Sequence, residues 1–284
     1  MGSVYAIGNR STMKHLVRLI ATLAVCLAAA LAGVTSAQAK APVNYVALGD
    51  SFSAGTGAIA QLSDYDFSDN CLRSKNAYPR LIAAAAGWNL HHDACQGATT
   101  ADVSKQLGNL SKETDVVTIT IGGNDIGFIP VVVTCATPGT TKDCLKVVAA
   151  SEAAIVFKLP SALKKVYAAI RKAAPNARVI AVGYPRLFNG TDCSGQTDYT
   201  PIEQAAMNVA TDLLNASIAV TAAKSGVEFA NPRSTFKGHA WCDKKAWINP
   251  PDFFANPPVN AGSLHPNIAG QAGYAEVVGS RLRY

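Results

Sequence analysis

The sequence predicts an α/β fold in which helices cover both faces of a central parallel sheet. Short strands rich in β-branched residues end in turns that contain glycine, and stretches of helical length separate them. Hydrophobic residues make up 49% of the 284 residues and charged residues 15%, a composition that excludes long disorder and a coiled coil. We therefore predict a three-layer αβα sandwich with a central parallel sheet.

Five strands and five helices are predicted, and they alternate along the chain. The strand candidates are segments 44–48, 90–93, 115–121, 177–182 and 227–229, of which the second and the last are weaker. The helix candidates are segments 77–86, 101–110, 151–173, 202–225 and a last one after Pro266. Because the carboxyl ends of parallel strands meet at one edge of a sheet, we expect functional residues in the turns that follow the strands.

The first 39 residues are predicted to be a secretion signal. Basic residues within positions 10–18 precede an apolar run from Leu19 to Val34, and Ala37-Gln38-Ala39 supplies the small residues of a cleavage site. Cleavage after Ala39 would leave residues 40–284 as a single secreted, extracellular domain. The alternative is a membrane anchor, but the run is rich in Ala and short of the roughly 20 residues that a spanning helix needs.

Charge argues against a nucleic-acid partner. The formal net charge of +6 falls to +3 when the three basic residues of the signal are removed, and the remaining bases are scattered. Nucleic-acid-binding proteins instead concentrate basic residues on one face.

The cysteines predict disulfides rather than a metal site. Six of the seven lie beyond the signal, an even number in a chain expected to reach an oxidising compartment. Their order along the chain favours the sequential pairs Cys71–Cys95, Cys135–Cys144 and Cys193–Cys242, although six cysteines allow fifteen pairings. No CxxC or HExxH motif occurs, so no metal is expected.

Ser51 is the first candidate nucleophile, because Gly49-Asp50-Ser51 forms a tight turn directly after the first predicted strand. An ordinary turn and helix N-cap is the structural alternative. No serine has the G-x-S-x-G pattern of the α/β-hydrolases, and the glycine-rich phosphate-binding motifs are also missing. Asp50 precedes the serine and is interpreted as structural, bonding backbone in the turn.

Four segments together resemble the SGNH, or GDSL, hydrolase family. They are Gly49-Asp50-Ser51-Phe52-Ser53, Gly97, Gly122-Gly123-Asn124-Asp125 and Ser263-Leu264-His265-Pro266-Asn267, and they resemble blocks I, II, III and V in the right order. The secretion signal and cysteines further resemble secreted actinomycete lipases and phospholipases A1 of that family. The resemblance implies the flavodoxin-like SGNH hydrolase fold and a reaction that needs no cofactor.

The same resemblance implies the roles of the site residues. Ser51 would be the nucleophile and His265 the general base and later the general acid. The backbone N–H groups of Ser51 and Gly97 and the side-chain amide of Asn124 would form the oxyanion hole. Taken without the family match, the candidate bases also include three further histidines, His91, His92 and His239.

One position departs from the family pattern. Members usually carry an Asp three residues before the catalytic His, whereas this chain has Gly262. We expect the main-chain carbonyl of Ser263 to orient the His265 ring instead, with Asp243 and Asp252 as alternative partners.

Two apolar segments near the expected site, 126–133 and 251–254, favour a fatty acyl substrate, although they could equally fill the core. The leading interpretation is a lipase that cleaves esters of medium- to long-chain fatty acids, such as triacylglycerols, at a lipid–water interface. Phospholipase A1, a short-chain or carbohydrate esterase and a thioesterase are alternatives, and an inactive secreted binding protein is the alternative outside enzymes. We expect a monomer without a stable membrane anchor.

Overall fold

A five-stranded parallel sheet forms the centre of the fold. The computed structural model describes residues 2, 41–137, 139, 141–191, 193, 199–253 and 260–282, so the predicted secretion signal lies outside the described residues except for Gly2. Residues Pro42–Tyr284 form one compact unit. Among the described helices, none has the length and apolar composition that crossing a bilayer would require.

The described strands and helices alternate as predicted. The strands are β1 (Asn44–Gly49), β2 (Tyr65–Asp66), β3 (Arg73–Ser74), β4 (Asn89–His92), β5 (Val116–Thr120), β6 (Arg178–Val182) and β7 (Glu228–Ala230). The α-helices are α1 (Ser51–Ala54), α2 (Tyr78–Ala86), α3 (Phe128–Cys135), α4 (Thr141–Phe157), α5 (Leu159–Ala173), α6 (Pro201–Lys224) and α7 (Ile268–Leu282). Short 3-10 helices lie at Leu62–Asp64, Asp102–Asn109 and Asn260–Gly262.

The strand order of the sheet is β4-β1-β5-β6-β7, and each neighbouring pair is parallel. The chain therefore moves to one side of β1 to form β4 and then crosses back to form β5. This change of direction leaves a crevice at the carboxyl ends of β1 and β5, which is where open α/β sheets bind their ligands. The short hairpin of β2 and β3 is separate and antiparallel.

Helices cover the sheet in two layers. Helices α2 and α7 pack against each other, and α4 and α5 both pack against α6. The β1–β4 crossover that contains α2 runs along the sheet in the opposite direction to the crossovers that contain α4, α5 and α6, so right-handed connections put α2 on the opposite face from them. Helix α7 follows the last strand and packs on the same side as α2. The three central strands β1, β5 and β6 are almost fully buried, with Val46, Leu48, Val117 and Ile119 at most 1% exposed. The predicted three-layer α/β sandwich is confirmed.

The helix predicted at 151–173 is two helices. Helix α4 begins at Thr141 and ends at Phe157, and α5 begins at Leu159. The break follows from Pro160, which lies in the first turn of α5, where its missing N–H costs no hydrogen bond.

Two other segments differ from the sequence prediction. Segment 101–110 is a 3-10 helix rather than an α-helix, and this geometry places the buried Val103 and Gln106 on one side. Segment 126–133, interpreted as an apolar loop, largely becomes α3. Its run of β-branched residues has low helix propensity, so packing rather than propensity determines this helix.

The cysteines lie in sequential pairs. Disulfides link Cys71 to Cys95 and Cys135 to Cys144, with sequence separations of 24 and 9, and Cys193 lies next to Cys242, from which 49 positions separate it in the sequence. The second ties the end of α3 to the start of α4, and the first lies beside the loop that follows β4.

Reduction of the disulfides is expected to lower the melting temperature of the mature protein. Each cross-link restricts the unfolded chain and contributes about 2 to 4 kcal/mol, which corresponds to roughly 5 to 15 °C per bond for a domain of this size. Thermal unfolding with and without reductant measures the effect, and thiol titration of the denatured, unreduced protein is the control. An unchanged melting temperature together with six reactive thiols would contradict the prediction.

Candidate active site

The turn after β1 presents Ser51 at the carboxyl edge of the sheet. Gly49 has a φ of +123°, and a Cβ atom at this position would lie 2.3 Å from the carbonyl oxygen of Thr120. Only glycine therefore fits between β1 and β5 here. The side chain of Gln106 holds the same residue from the other side: Oε1 accepts from Gly49 N at 2.7 Å, and Nε2 donates to Gly49 O at 2.8 Å.

Asp50 caps the short helix that Ser51 begins. Its Oδ1 accepts a hydrogen bond from Phe52 N at 3.0 Å, the backbone contact expected from the sequence. Its Oδ2 accepts a second hydrogen bond, from the Tyr184 hydroxyl. Burial raises the pKa of Asp50 from 3.8 to about 7, although both hydrogen bonds oppose the shift.

His265 lies against Ser51. Its Nε2 is 2.7 Å from Ser51 Oγ, and its Nδ1 is 2.8 Å from the carbonyl oxygen of Ser263. A carbonyl can only accept, so Nδ1 carries the ring proton and Nε2 is free to accept the proton of the serine hydroxyl. This is the geometry that an activated serine requires.

The carboxylate that family members usually carry three residues before the histidine cannot be accommodated at Gly262. A Cβ atom there would lie 2.9 Å from the Cα atom of Gly57, so the two backbones are too close for an Asp side chain. The alternative carboxylate of Asp243 instead accepts hydrogen bonds from Ala240 N and Asn189 Nδ2. Asp252 contributes its backbone N–H, which donates to Ser263 Oγ at 2.9 Å and so fixes the loop that carries the carbonyl.

The other histidines have different partners. His92 Nε2 pairs with the Ser53 carbonyl at 3.0 Å, and burial lowers the pKa of His92 to about 3. His239 stacks on Trp247 with ring centroids 3.7 Å apart, and His91 is exposed on β4. Of the five histidines in the chain, His265 is the one hydrogen-bonded to Ser51 in the described part of the structure.

The loop after β4 brings Gly97 to the same edge. Cys95 N donates to Gly49 O at 2.9 Å, and Asn124 Nδ2 donates to Ala98 O at 2.9 Å. The loop is thus fixed to the turn after β1 on one side and to the turn after β5 on the other. Gly97, with a φ of +72°, lies between these two attachment points.

The proposed oxyanion donors are available in this arrangement. Within the residues that the structure describes, no acceptor binds the backbone N–H of Ser51 or of Gly97. Asn124 uses one amide hydrogen for Ala98 and retains the other. Asp125 supports the loop, because its carboxylate accepts hydrogen bonds from both the backbone N–H and the hydroxyl of Thr100.

An apolar cavity opens beside Ser51. It is narrow and lies between α3, α4, α6 and the segment after β6. The lining is mainly hydrophobic and includes Phe128, Val131, Val132, Val148, Leu187 and Met207. Phe253 of the second apolar segment packs against the core, and Phe254 lies outside the described residues. Across the described ranges there is no cluster of three or more metal-ligating side chains.

Burial controls the basicity of His265. The ring is enclosed by Phe52 and Phe128, with centroids 5.0 and 6.1 Å away, and burial lowers its pKa from 6.5 to about 4. The hydrogen bond to Ser263 opposes this shift but does not cancel it. The imidazole is therefore neutral at neutral pH and ready to accept a proton.

Ester hydrolysis is expected to show an acid limb near pH 4 in kcat/KM rather than near 6.5. Only the neutral imidazole can accept the Ser51 proton, so activity is lost as pH falls through the lowered pKa of His265. The free energy of unfolding also falls with pH. In the unfolded chain the His265 imidazole binds a proton below about pH 6.5, whereas in the folded state it does so only near pH 4, so the folded state loses stability between these values.

A pH profile with circular dichroism at each point measures the acid limb and separates it from unfolding. The Phe128→Ala variant, which opens the histidine to water, should move the limb upward. An acid limb at pH 6.5 in the kcat/KM profile of the wild type would contradict the lowered pKa of a buried His265.

Comparisons with known proteins show the family and the fold. Residues 47–272 match the model of the GDSL-like Lipase/Acylhydrolase family. The chain is 42% identical over 266 residues to Lipase 1 of Streptomyces coelicolor. The aligned region covers 91% of this chain and 95% of that protein.

Two solved structures share the fold. The extracellular lipase of Streptomyces rimosus has 40% identity and a TM-score of 0.77, and phospholipase A1 of Streptomyces albidoflavus NA297 has 38% identity and a TM-score of 0.78. Each match covers 84% of this chain and 99% of the known structure.

Proposed function

Because the chain belongs to the GDSL-like lipase/acylhydrolase family, and is thus a carboxylic ester hydrolase, we propose that it cleaves esters of medium- to long-chain fatty acids through an acyl-enzyme on Ser51. The observation that carries this proposal is the apolar cavity beside the Ser51 hydroxyl. A fatty acyl chain that enters it would gain about 0.8 kcal/mol for each methylene removed from water. An acetyl group would gain little, so the cavity favours long acyl chains over acetate.

The proposed reaction has two steps. Ser51 Oγ attacks the ester carbonyl carbon while its proton passes to His265 Nε2, which lies 2.7 Å away. The N–H groups of Ser51, Gly97 and Asn124 hold the oxyanion, and its collapse releases the alcohol with the proton from His265. Water then loses a proton to His265 and attacks the acyl carbon; when this second intermediate collapses, the bond to Ser51 Oγ breaks, His265 returns the proton to Oγ, and the acid leaves.

Phospholipase A1 is the second candidate activity. The solved phospholipase A1 resembles this chain as closely as the solved lipase does, with TM-scores of 0.78 and 0.77. Both activities use the same catalytic groups and differ in the alcohol part of the ester. The hydrophobic lining disfavours a carbohydrate deacetylase or another short-chain esterase, because an acetyl group would bury little of its surface in the cavity.

We further propose that the protein is secreted as a monomer and meets its substrate at a lipid–water interface. The inner side of α3 lines the cavity, whereas Ile129 and Val133 on its outer side are 50% and 44% exposed. Segment 126–133 contains no charged residue. An exposed apolar surface beside a cavity suits contact with acyl chains.

Fatty-acid release from triacylglycerol and phosphatidylcholine emulsions, assayed in parallel, tests the proposed substrates. Ser51→Ala provides the blank rate. Faster release from triacylglycerol would support the lipase, and faster release from phosphatidylcholine would favour phospholipase A1 with the same mechanism. Rates at the blank level on both substrates would contradict a lipid substrate.

The cavity itself is tested by Val148→Phe, which fills part of it from α4. Each methylene that no longer fits should cost about fourfold in rate, so hydrolysis of p-nitrophenyl palmitate should fall much more than that of the butyrate. Val156→Phe is the matched control, because Val156 lies on the same helix but is 49% exposed. An equal loss on both esters would show that the cavity does not bind the acyl chain.

A further inference from the structure

The hydroxyl of Tyr184 joins two turns that carry the reacting groups. It donates to Asp50 Oδ2 at 2.5 Å and accepts from Gly123 N at 3.0 Å. Asp50 directly precedes Ser51, and Gly123 directly precedes Asn124. One buried oxygen therefore links the turn after β1 to the turn after β5.

Tyr184 is itself fixed on a third strand. It follows β6 in the turn Gly183-Tyr184-Pro185, where Asn215 of α6 accepts from Tyr184 N at 2.8 Å and donates to Tyr184 O at 2.7 Å. The ring packs edge-on against Phe52 with centroids 5.0 Å apart, and the residue is 6% exposed. Its hydroxyl therefore has a defined position.

Gly123 and the Tyr184 ring fit closely together. A Cβ atom at Gly123 would lie 3.3 Å from Tyr184 Cζ and from its hydroxyl oxygen, so a side chain at this position would crowd the ring. A hydroxyl suits this position because it can donate to the carboxylate and accept from the N–H at the same time. A phenylalanine would leave both buried partners without that hydrogen bond.

We propose that Tyr184 is a positioning residue for ester hydrolysis. Its hydroxyl holds Gly123 to Asp50 and so keeps the Asn124 amide and the Ser51 N–H directed at the same oxyanion. The proposal rests on the oxyanion-hole roles assigned to Ser51 and Asn124 under the proposed function. An oxyanion donor is effective only within about 2.7 to 3.1 Å of the developing charge. A shift of the turn after β5 would thus weaken transition-state binding while leaving the acyl cavity in place.

The test is a double-mutant cycle of Tyr184→Phe and Asn124→Ala on a soluble short-chain ester. Active sites are titrated with a phosphonate, so that kcat refers to folded enzyme. Tyr184→Phe should lower kcat about tenfold to a hundredfold and change KM little, since the lost interaction exists only in the transition state. In the Asn124→Ala background the same substitution should cost no more than about threefold, because the donor that it positions is already missing.

Tyr45→Phe is the matched control. It removes another buried tyrosine hydroxyl, which bonds Thr118 Oγ1 on the neighbouring strand at 2.6 Å, and it should leave kcat nearly unchanged. Asp50→Asn can keep the helix cap through its amide oxygen, but its amide nitrogen cannot accept from the Tyr184 hydroxyl, so this substitution should also lower kcat.

If Tyr184→Phe lowered kcat equally in both backgrounds, or in neither, this inference would be overturned and the proposed function would remain. If Asn124→Ala had the wild-type kcat, the proposed oxyanion role of Asn124 would fail, and this inference with it.

Discussion

Ser51→Ala is expected to remove essentially all ester hydrolysis, with a fall of about six powers of ten in kcat, as for other serine nucleophiles. The hydroxyl is the atom 2.7 Å from His265 Nε2, and alanine leaves the base without a proton to accept. Folding should change little, because the substitution deletes one oxygen at the start of α1. A sensitive fluorogenic ester and the melting temperature measure the two effects.

Ser53→Ala is the matched control for the nucleophile. Ser53 lies in the same short helix, and its Oγ accepts from Thr120 N at 3.1 Å instead of facing His265. A fluorophosphonate should therefore label the wild type and Ser53→Ala, while Ser51→Ala should remain unlabelled. Labelling of Ser51→Ala at another serine would show that the nucleophile was assigned wrongly.

His265→Ala is expected to lower kcat by a comparable factor of about 10⁵ to 10⁶, because nucleophile and base act as one unit. The buried ring is also the proton donor to the leaving alcohol. Its removal leaves a space beside Phe52 and Phe128, so added imidazole should restore part of the activity. Initial rates measured against imidazole concentration test this.

His91→Ala is the control for the base. His91 is exposed on β4, so the variant should retain wild-type kcat. Combining His265→Ala with Ser51→Ala should cost no more than either change alone. Substantial residual activity in His265→Ala, together with loss of activity in His92→Ala, would show that the base is His92 and not His265.

The parts of the fold that follow from local pattern could be predicted. Short β-branched runs ending in glycine mark β1, β5 and β6, and parallel strands place their following turns on one edge. Ser51 and Asn124 each lie within four residues of a strand end, so pattern alone directs attention to them. His265 is different: without the family resemblance it was one histidine among several, and its place beside Ser51 depends on the path of the whole chain.

The supporting residues could not be predicted, because their roles arise from contacts between distant segments. Gln106 bonds Gly49 across 57 residues, and Tyr184 bonds Gly123 across 61. A glutamine in a short helix and a tyrosine after a strand are ordinary in sequence. The one available signal for Tyr184 was its turn at a strand end, where functional residues gather in parallel sheets.

Helix α3 illustrates how packing overrides composition. Proline and three consecutive valines at 130–133 disfavour a helix interior, and the segment was interpreted as a loop. Pro130 lies in the first turn, where no hydrogen bond is lost, and Val132 is 1% exposed against the core. Burial of the apolar side chains thus stabilises a helix that propensity alone would not form.

The main-chain acceptor of His265 changes how the site responds to mutation. A carboxylate partner is encoded by one codon and can be lost through a single nucleotide change. The carbonyl of Ser263, 2.8 Å from Nδ1, is present whichever residue is encoded at that position. It also has no ionisable proton, so the tautomer of the base does not depend on a second titration. The positions sensitive to inactivating substitution therefore shift from a carboxylate to the glycines, Gly57 and Gly262, that allow the two backbones to touch.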